Sequence, residues 1–413
     1  MRFLHLADLH FGKSLHGLSL LESGDQGFWA DRFLELAARL RPDAVLIAGD
    51  IYDRGSPSGD AVELLSRMLT ALAEEKIPVL LVAGNHDSVQ RLSFARELLA
   101  RQQLYISGAL SASETLSHVT LEDEHGPVTF WLMPYVYPAL VAQALGQEGL
   151  RDYDSAVRAL LAAQPVDFSR RNVLLAHQNV TANGAEAPRG GSESMVGGLG
   201  QVDYHAFDGF DYVALGHIHA AYAVGRPSVR YAGSPLCYHF DELRQAAKGP
   251  LLVELGAKGE EPRTETLHIP PLHPLRELRG EYEELRRQEL ARERRGEFLR
   301  VVLTDRRVSP EAADFFRSLC AGRDSVLMEI CSDYAPYRTG AVRAAEAIRE
   351  KSVEELFSDF YAERCGGESP DERDRELLAL AGELLRHGEP GTQTDETSVS
   401  RLLAFLLEQE DRP

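Results

Sequence analysis

Up to about residue 265 the chain alternates between two hydrophobic periods. Short apolar runs at Phe3–Ala7, Ala44–Ala48, Pro78–Ala83, Val128–Met133, Asn172–Ala176, Tyr212–Leu215 and Leu251–Leu255 predict strands, several of them covered on both faces. Between the strands the spacing becomes helical. Trp29, Phe33, Leu36, Ala37 and Leu40 share one face of a helix over Trp29–Leu40, and Ala61, Leu65, Met68, Leu69 and Leu72 share one over Ala61–Ala73. Gln90–Arg101 and Ser155–Ala163 follow the same pattern. Pro42, Pro57 and Pro78 stand at the joints, where a missing N–H costs least. This alternation predicts an α/β domain with a layered sheet core.

The pattern changes twice. Thr181–Gly209 is rich in Gly, Ser and Ala and reads as a long loop over one face. Ile269-Pro270-Pro271 then marks a break. Beyond it the spacing predicts a charged helix over Leu275–Arg295, a strand at Phe298–Leu303, a helix at Glu311–Leu319 and a strand at Ser325–Ile330. From Ser352 onward, Val353–Arg364, Asp371–Leu385 and Val399–Glu408 read as helices, in a region (351–413) holding 16 acidic and 7 basic residues. The expected organisation is therefore 1–268, 269–350 and an acidic helical region over 351–413.

Charge and cysteine usage narrow the classes. The 413 residues carry a net charge of -20, which excludes a broadly basic nucleic-acid coat and discourages a membrane-surface role. Nucleic acid as substrate stays open, since bound cations or a partner can supply the positive field. No apolar run is long enough to span a bilayer, and the N-terminus turns polar too soon for a signal peptide. Cys237, Cys320, Cys331 and Cys365 show no CxxC spacing, as suits a reducing cytoplasm and no structural zinc.

Chemistry is concentrated where apolar strands end. Asp8-Leu9-His10, Gly49-Asp50-Ile51-Tyr52-Asp53, Gly84-Asn85-His86-Asp87, His177-Gln178 and Gly216-His217-Ile218-His219 each close a predicted strand. Ligands of α/β folds bind at such ends. The donors are oxygen and imidazole without thiolate, a set that suits Mn²⁺, Fe²⁺ or Zn²⁺ in open coordination. Seven donors exceed one ion, so one carboxylate is expected to bridge two, about 3.5–4 Å apart, in the manner of phosphoryl-transfer centres. In Asp8-x-His10 and His217-x-His219 a period of two puts both side chains on one side of an extended segment. The glycines before Asp50, Asn85 and His217 admit tight turns.

These five motifs resemble those of the calcineurin-like metallophosphoesterase superfamily, whose fold is an α/β two-sheet sandwich flanked by helices. Arg2-Phe3-Leu4-His5-Leu6-Ala7-Asp8-Leu9-His10-Phe11-Gly12-Lys13, Asp211–His219 and Tyr231–Leu236 narrow the resemblance to the nuclease subunits of DNA break-repair complexes. The resemblance implies one ion held by Asp8, His10 and His219, a second by Asn85, His177 and His217, and Asp50 between them, with two Mn²⁺ usual and Mg²⁺, Fe²⁺ or Zn²⁺ possible. It implies a catalytic role for His86 near the scissile phosphate, with Asp87 of the same catalytic motif and Asp53 orienting His86 and other neighbours. It further implies 3′-to-5′ exonuclease activity on duplex ends, endonuclease activity on single strands and hairpins, a capping role for 269–350, and a Rad50-like ATPase of the SbcC type docked on 351–413 through Leu356, Phe357, Phe360 and Tyr361.

A homodimer is implied through helices 61–73 and 90–101, with Leu64, Leu65, Met68, Leu72, Leu92, Phe94 and Leu98 as candidates. Lys13, His16, Arg54, Tyr238 and His239 lie near motif residues and are candidate DNA contacts. Ser234 is expected to shape the rim without acting as nucleophile, and His5 stays outside the site. Arginines over 276–295 alternate with glutamates, so surface ion pairing is their expected use. Two other functions stay open on sequence: a metallophosphoesterase of small nucleotides or phosphoproteins, and a non-catalytic scaffold regulating a partner.

Overall fold

The computed structural model describes residues 1–108, 116–147, 149–182, 184, 200–245 and 248–333. Two six-stranded mixed sheets face one another. The first runs in the order Arg263–Thr266, Leu251–Glu254, Arg2–Leu6, Ala44–Ala48, Val79–Val82, Leu104–Ser107, parallel from Arg2–Leu6 onward. The second runs Tyr222–Ala223, Val229–Tyr231, Tyr212–Gly216, Arg171–His177, Gly126–Met133, Ser117–Asp123, with its four middle strands parallel.

Period-two alternation decides what fills each layer. Phe3, Leu46, Leu80 and Val82 of the first sheet meet Phe130, Leu132, Val173, Leu175 and Tyr212 of the second in a dry inter-sheet core. Phe3 packs edge-on against Phe130 and Tyr212 at 5.8 and 5.6 Å. Truncating Phe3 to alanine would cost roughly 3–5 kcal/mol. The alternate residues, Leu4, Leu6, Val45, Ile47, Val79 and Leu81, face outward onto helices Asp25–Leu40 and Gly59–Glu74 through Trp29, Phe33, Leu65 and Met68. Ser58 caps the second of these helices by accepting from the Ala61 N–H at 3.3 Å. On the far side Trp131, Met133, Leu174 and Ala176 pack on Pro138–Leu145 and Tyr153–Ala162.

A third, three-stranded parallel sheet, Leu275–Gly280, Phe298–Leu303 and Val326–Ser332, carries helices Tyr282–Leu290 and Pro310–Ala321 over its own core of Leu278, Tyr282, Leu299, Val301, Leu303 and Phe316. Here the expected charged helix over Leu275–Arg295 is corrected. Its first six residues form a strand, because pairing with Phe298–Leu303 satisfies the backbone while Arg276 reaches across to Glu289 and Glu297. The arginines do pair with acids, Arg292 and Arg294 included.

Two further expectations change. Gln90–Arg101 is not one helix but two short ones, Val89–Leu92 and Arg96–Ala100, separated by Ala95 at φ 56°. Within Thr181–Gly209 the strand Gln201–Asp203 pairs in parallel with Asn179–Thr181; residues 183 and 185–199 lie outside the described residues. The helices expected beyond Ser352 also lie outside them, together with Leu356, Phe357, Phe360, Tyr361 and Cys365.

Candidate metal centre

The chain leaves adjacent strand ends on one edge of the sandwich. Asp8 follows Arg2–Leu6, Asp50 follows Ala44–Ala48, and Asn85 follows Val79–Val82. His177 ends its strand, and His217 follows Tyr212–Gly216. The loops after the first two strands zip together: Asp8 N–H donates to Gly49 O at 3.0 Å, His10 N–H to Asp50 O at 2.9 Å and Phe11 N–H to Ile51 O at 2.9 Å. That ladder holds Asp8, His10 and Asp50 at φ 53°, 42° and 49°, with His217 at 105°. Positive φ at four polar non-glycine residues is strain of the kind functional sites retain. It also corrects the extended geometry expected of the D-x-H and H-x-H pairs: His217 turns toward Asn85, whereas His219 turns toward His10.

The donors converge. Asp8, His10 and His219 bring ligand atoms within 4.8 Å of one another, as do Asp8, Asp50 and His177. Nε2 of His10 and Nε2 of His219 stand 3.2 Å apart. Asp50 Oδ2 lies 3.6 Å from His10 Nε2 and 3.4 Å from His177 Nε2, between the two groups. Asn85 Oδ1 is 3.1 Å from both His177 Nε2 and His217 Nδ1. Asp8, His10, Asp50, His177 and His219 are buried, whereas Asn85, His86 and His217 are half-buried and form the open side.

The electrostatics call for a cation. Burial holds the His10 imidazole well below its ordinary pKa and His217 at about 3, so both offer neutral nitrogen lone pairs. Burial also pushes the Asp8 carboxyl up to about 7. Burial would raise Asp50 too, but the facing His177 outweighs it and holds the carboxyl well below its usual range. For His177, burial acts downward and the Asp50 charge prevails, lifting it to about 9. The upward shifts of the Asp8 carboxyl and of the His177 imidazole mark where positive charge is wanted. Among the described residues, Asp8 Oδ2 and His10 Nδ1 are buried without a hydrogen-bond partner. An orphaned carboxylate oxygen among imidazole nitrogens fits a divalent-metal site.

The neighbours of this cluster sort themselves by contact. His86 donates from Nδ1 to the Asp53 carbonyl at 2.9 Å, and its N–H donates to Asp50 Oδ1 at 3.0 Å. The expectation that Asp87 orients His86 is corrected. Its carboxylate instead accepts from the Gly84, Ile51 and Tyr52 N–H groups at 2.9–3.1 Å and so ties two ligand loops together. Asp53 orients His86 through its backbone, while its carboxylate takes Lys13 Nζ at 2.8 Å. Arg54 is exposed beside it, 3.6 Å away.

Tyr238 is corrected as a DNA contact. It is 3% exposed, edge-on to His10 and His219 at 5.5 and 5.6 Å, and donates its hydroxyl to Leu9 O. His239 accepts from the Asp241 N–H at 3.2 Å, which commits its ring to the local turn. His16 is exposed, with its ring against Phe240. Ser234 Oγ donates to Leu236 O at 2.8 Å, lies 3.4 Å from Glu242 Oε2 and accepts from Lys248, so its hydroxyl is tied into the packing around Glu242. His5 bonds Tyr212 and Leu215 in the inter-sheet core, with burial holding it at about 3, outside the site.

Sequence reasoning missed two residues. Glu242 Oε1 meets His219 Nδ1 at 3.2 Å, and Lys248 Nζ meets Glu242 Oε2 at 2.7 Å. Burial would raise the Glu242 carboxyl, but the bond to His219 and the Lys248 charge hold it down at about 2. Neither residue belongs to a strand-end motif, and Glu242 stands 23 positions from the ring it touches.

The calcineurin-like phosphoesterase family matches residues 1–221, and a family described as the type 5 capsule protein repressor C-terminal domain matches residues 271–364. A protein from Staphylococcus epidermidis, named as the D subunit of the SbcCD nuclease, is 30% identical over 311 residues, 74% of this chain and 79% of the relative. Its namesake from Staphylococcus saprophyticus is 31% identical over 293 residues, 70% of this chain and 74% of the relative. The crystal structure of TT1561 of Thermus thermophilus covers 64% of this chain and 98% of its own at 15% identity, with a TM-score of 0.34, too low to add to the fold. Among the described residues no helix is long and apolar enough to cross a membrane.

Proposed function

Because the chain belongs to the calcineurin-like phosphoesterase family, we propose that it is a metal-dependent DNA phosphodiesterase, the nuclease arm of an SbcCD-type complex. The observation that carries the reading is the convergence of Asp8, His10, Asp50, Asn85, His177, His217 and His219 at one edge of the sandwich, with Asp8 Oδ2 buried and, among the described residues, without a hydrogen-bond partner. The names of the two staphylococcal relatives favour DNA over small phosphoesters as substrate.

Asp8, His10 and His219 would hold one divalent ion and Asn85, His177 and His217 a second, with Asp50 shared. Two Mn²⁺ are proposed, and Mg²⁺, Fe²⁺ or Zn²⁺ suit parts of the same donor set. Bound there, the pair supplies Lewis-acid stabilisation of phosphate charge and activation of water. The chain's own groups do the rest. His86, its Nδ1–H fixed on the Asp53 carbonyl, keeps Nε2 for the departing oxygen, and as imidazolium, protonated on both nitrogens, it would deliver the Nε2 proton there and be left neutral. Asp87 holds the loops bearing Asp50 and Asn85 at fixed separation through three backbone N–H groups. Lys13, His16 and Arg54 would touch phosphates flanking the cut, which positions DNA without reading its sequence.

The finer activities proposed are 3′-to-5′ degradation of duplex ends and nicking of single strands and hairpins. Residues 269–350 would cap the DNA, and the acidic region 351–413 would dock an SbcC/Rad50-like ATPase. A homodimer is proposed through Phe94 and Leu98, 80% and 63% exposed. The other candidates for that interface, Leu64, Leu65, Met68, Leu72 and Leu92, are buried in this chain's own core.

The test is cleavage of an end-labelled hairpin duplex with Mn²⁺ and with chelator, beside a chromogenic phosphodiester. Mn²⁺-dependent loss of the hairpin, stimulated by ATP when the partner is added, is expected. Intact DNA with a hydrolysed small diester would select the small-substrate enzyme. No cleavage of either by the metal-loaded chain would select the scaffold.

A further inference from the structure

Behind the metal centre lies a second, buried polar cluster. Glu242 is 1% exposed, on the short turn Phe240–Arg244. Its Oε1 meets Nδ1 of His219 at 3.2 Å, the ring nitrogen opposite the Nε2 that faces His10. Its Oε2 takes Lys248 Nζ at 2.7 Å and the Tyr238 N–H at 3.2 Å. The same ammonium donates to the His219 carbonyl at 2.7 Å and to Ser234 Oγ at 2.8 Å. Lys248 therefore grips His219 twice, through its backbone and through the carboxylate that holds its ring.

A buried ion pair of this kind does little for stability, because the desolvation of both charges offsets their attraction. Its geometry suggests another use. A carboxylate on Nδ1 fixes the imidazole tautomer with hydrogen on that nitrogen, so Nε2 carries the lone pair, and it raises the basicity of that lone pair. Among the described residues, the other imidazoles of the cluster are held differently: His177 donates Nδ1–H to the neutral Ala48 carbonyl at 2.7 Å, and His10 Nδ1 is without a hydrogen-bond partner.

We propose that Glu242 and Lys248 are positioning residues that orient and strengthen His219 as a metal ligand, making the ion on the Asp8–His10–His219 side the tighter of the two. This rests on the metal-centre reading above and deepens it. Glu242 sets the ring through Nδ1. Lys248 supplies the counter-charge that keeps the carboxylate on that nitrogen and anchors the His219 backbone after its left-handed neighbour His217.

The experiment is a Mn²⁺ titration of the full chain by calorimetry, with free Mn²⁺ read by electron paramagnetic resonance, on wild type, Glu242→Gln, Glu242→Ala and Lys248→Met. Wild type is expected to take up two ions. Glu242→Ala should weaken one of them by roughly 10–100-fold and leave the other unchanged. Glu242→Gln, which keeps shape and an acceptor, should fall between the two, and Lys248→Met should weaken the same ion. Chelated samples melted in parallel report folding, and Glu242→Gln decides the matter if the alanine variant does not fold. Lowered melting temperatures with unchanged Mn²⁺ affinities would mean a merely structural pair and overturn the inference. Equal weakening of both ions would overturn it as well. A wild-type chain that binds no Mn²⁺ would overturn the centre itself and this pair with it.

Discussion

Replacing Gly216 with alanine would set a methyl carbon 1.9 Å from the Ala48 carbonyl oxygen and 2.9 Å from His177 Nδ1. Neither neighbour can give way, since Ala48 ends a central strand and that same carbonyl orients His177. Gly49, at φ 84°, would crowd the His177 ring in the same way. Gly216→Ala should therefore destabilise the chain by about 1–3 kcal/mol and weaken Mn²⁺ uptake, measured by urea unfolding and metal titration. Unchanged midpoints and affinity would contradict the close packing of the two sheets at the site. At this scale the sequence was most informative about residue types. Oxygen and imidazole donors at five strand ends were legible as a metal cluster because strand ends are adjacent in any such sandwich. What each neighbour touches was not legible. Asp87 follows His86 directly yet bonds three backbone amides, and Glu242 reaches His219 only through the fold.

Elements were legible where burial dictates them and illegible where pairing does. Ala44–Ala48, apolar on both faces, has the same bounds in sequence and structure. Leu275–Gly280, with leucines three apart and charges between, reads as helical and is a strand because its partner strand and the acids beyond it decide. The Val89–Ala100 region keeps its apolar spacing but breaks at Ala95, which leaves Phe94 and Leu98 exposed. If those side chains form the proposed dimer, Phe94→Glu should shift the sedimenting species from dimer to monomer without lowering the melting temperature. An unchanged sedimentation coefficient would remove this surface from the interface.

A different contact joins strands of the second sheet. Arg171, at the start of its strand and 3% exposed on its side chain, pairs with Asp123 at the end of Ser117–Asp123, with Nη1 to Oδ2 at 3.0 Å, across the intervening strand Gly126–Met133. The Arg171 hydrogen bond holds the Asp123 carboxyl below its usual range. A depressed carboxyl stabilises the fold fully above about pH 4, where the unfolded group ionises, and that stability is lost as pH falls through the lower folded value. Asp123→Asn should cost roughly 3 kcal/mol by leaving Arg171 and the Met1 ammonium, 2.6 Å from the Asp123 carboxylate, without their counter-charge. The difference from wild type should hold constant from pH 5 to 8 and shrink in stronger acid, followed by urea midpoints. A difference that grew on acidification would contradict the assignment.

For the whole molecule, a net charge of -20 sets the terms on which it meets DNA. Few phosphates can be neutralised by the chain alone, so its DNA affinity should be weak and fall only modestly between 50 and 200 mM salt, as read by fluorescence anisotropy. Salt-insensitive binding would point to a recognition surface other than the loops carrying Lys13 and Arg54. The two-sheet sandwich was legible as an α/β layered domain from alternation alone, and the family resemblance supplied its topology. The parallel three-stranded sheet beyond Ile269 was only partly legible, because its first strand is charged and its core small.

Whether this strand-end cluster cuts DNA with His86 as proton donor is decided by single-turnover cleavage of a labelled hairpin duplex in Mn²⁺, comparing wild type with His86→Gln and measuring bound metal on the same samples. His86→Gln should keep both ions and lose roughly 10²–10⁴-fold in cleavage rate. Cleavage at the wild-type rate would remove His86 from the chemistry, and a metal-loaded wild type that leaves DNA intact would contradict the nuclease itself.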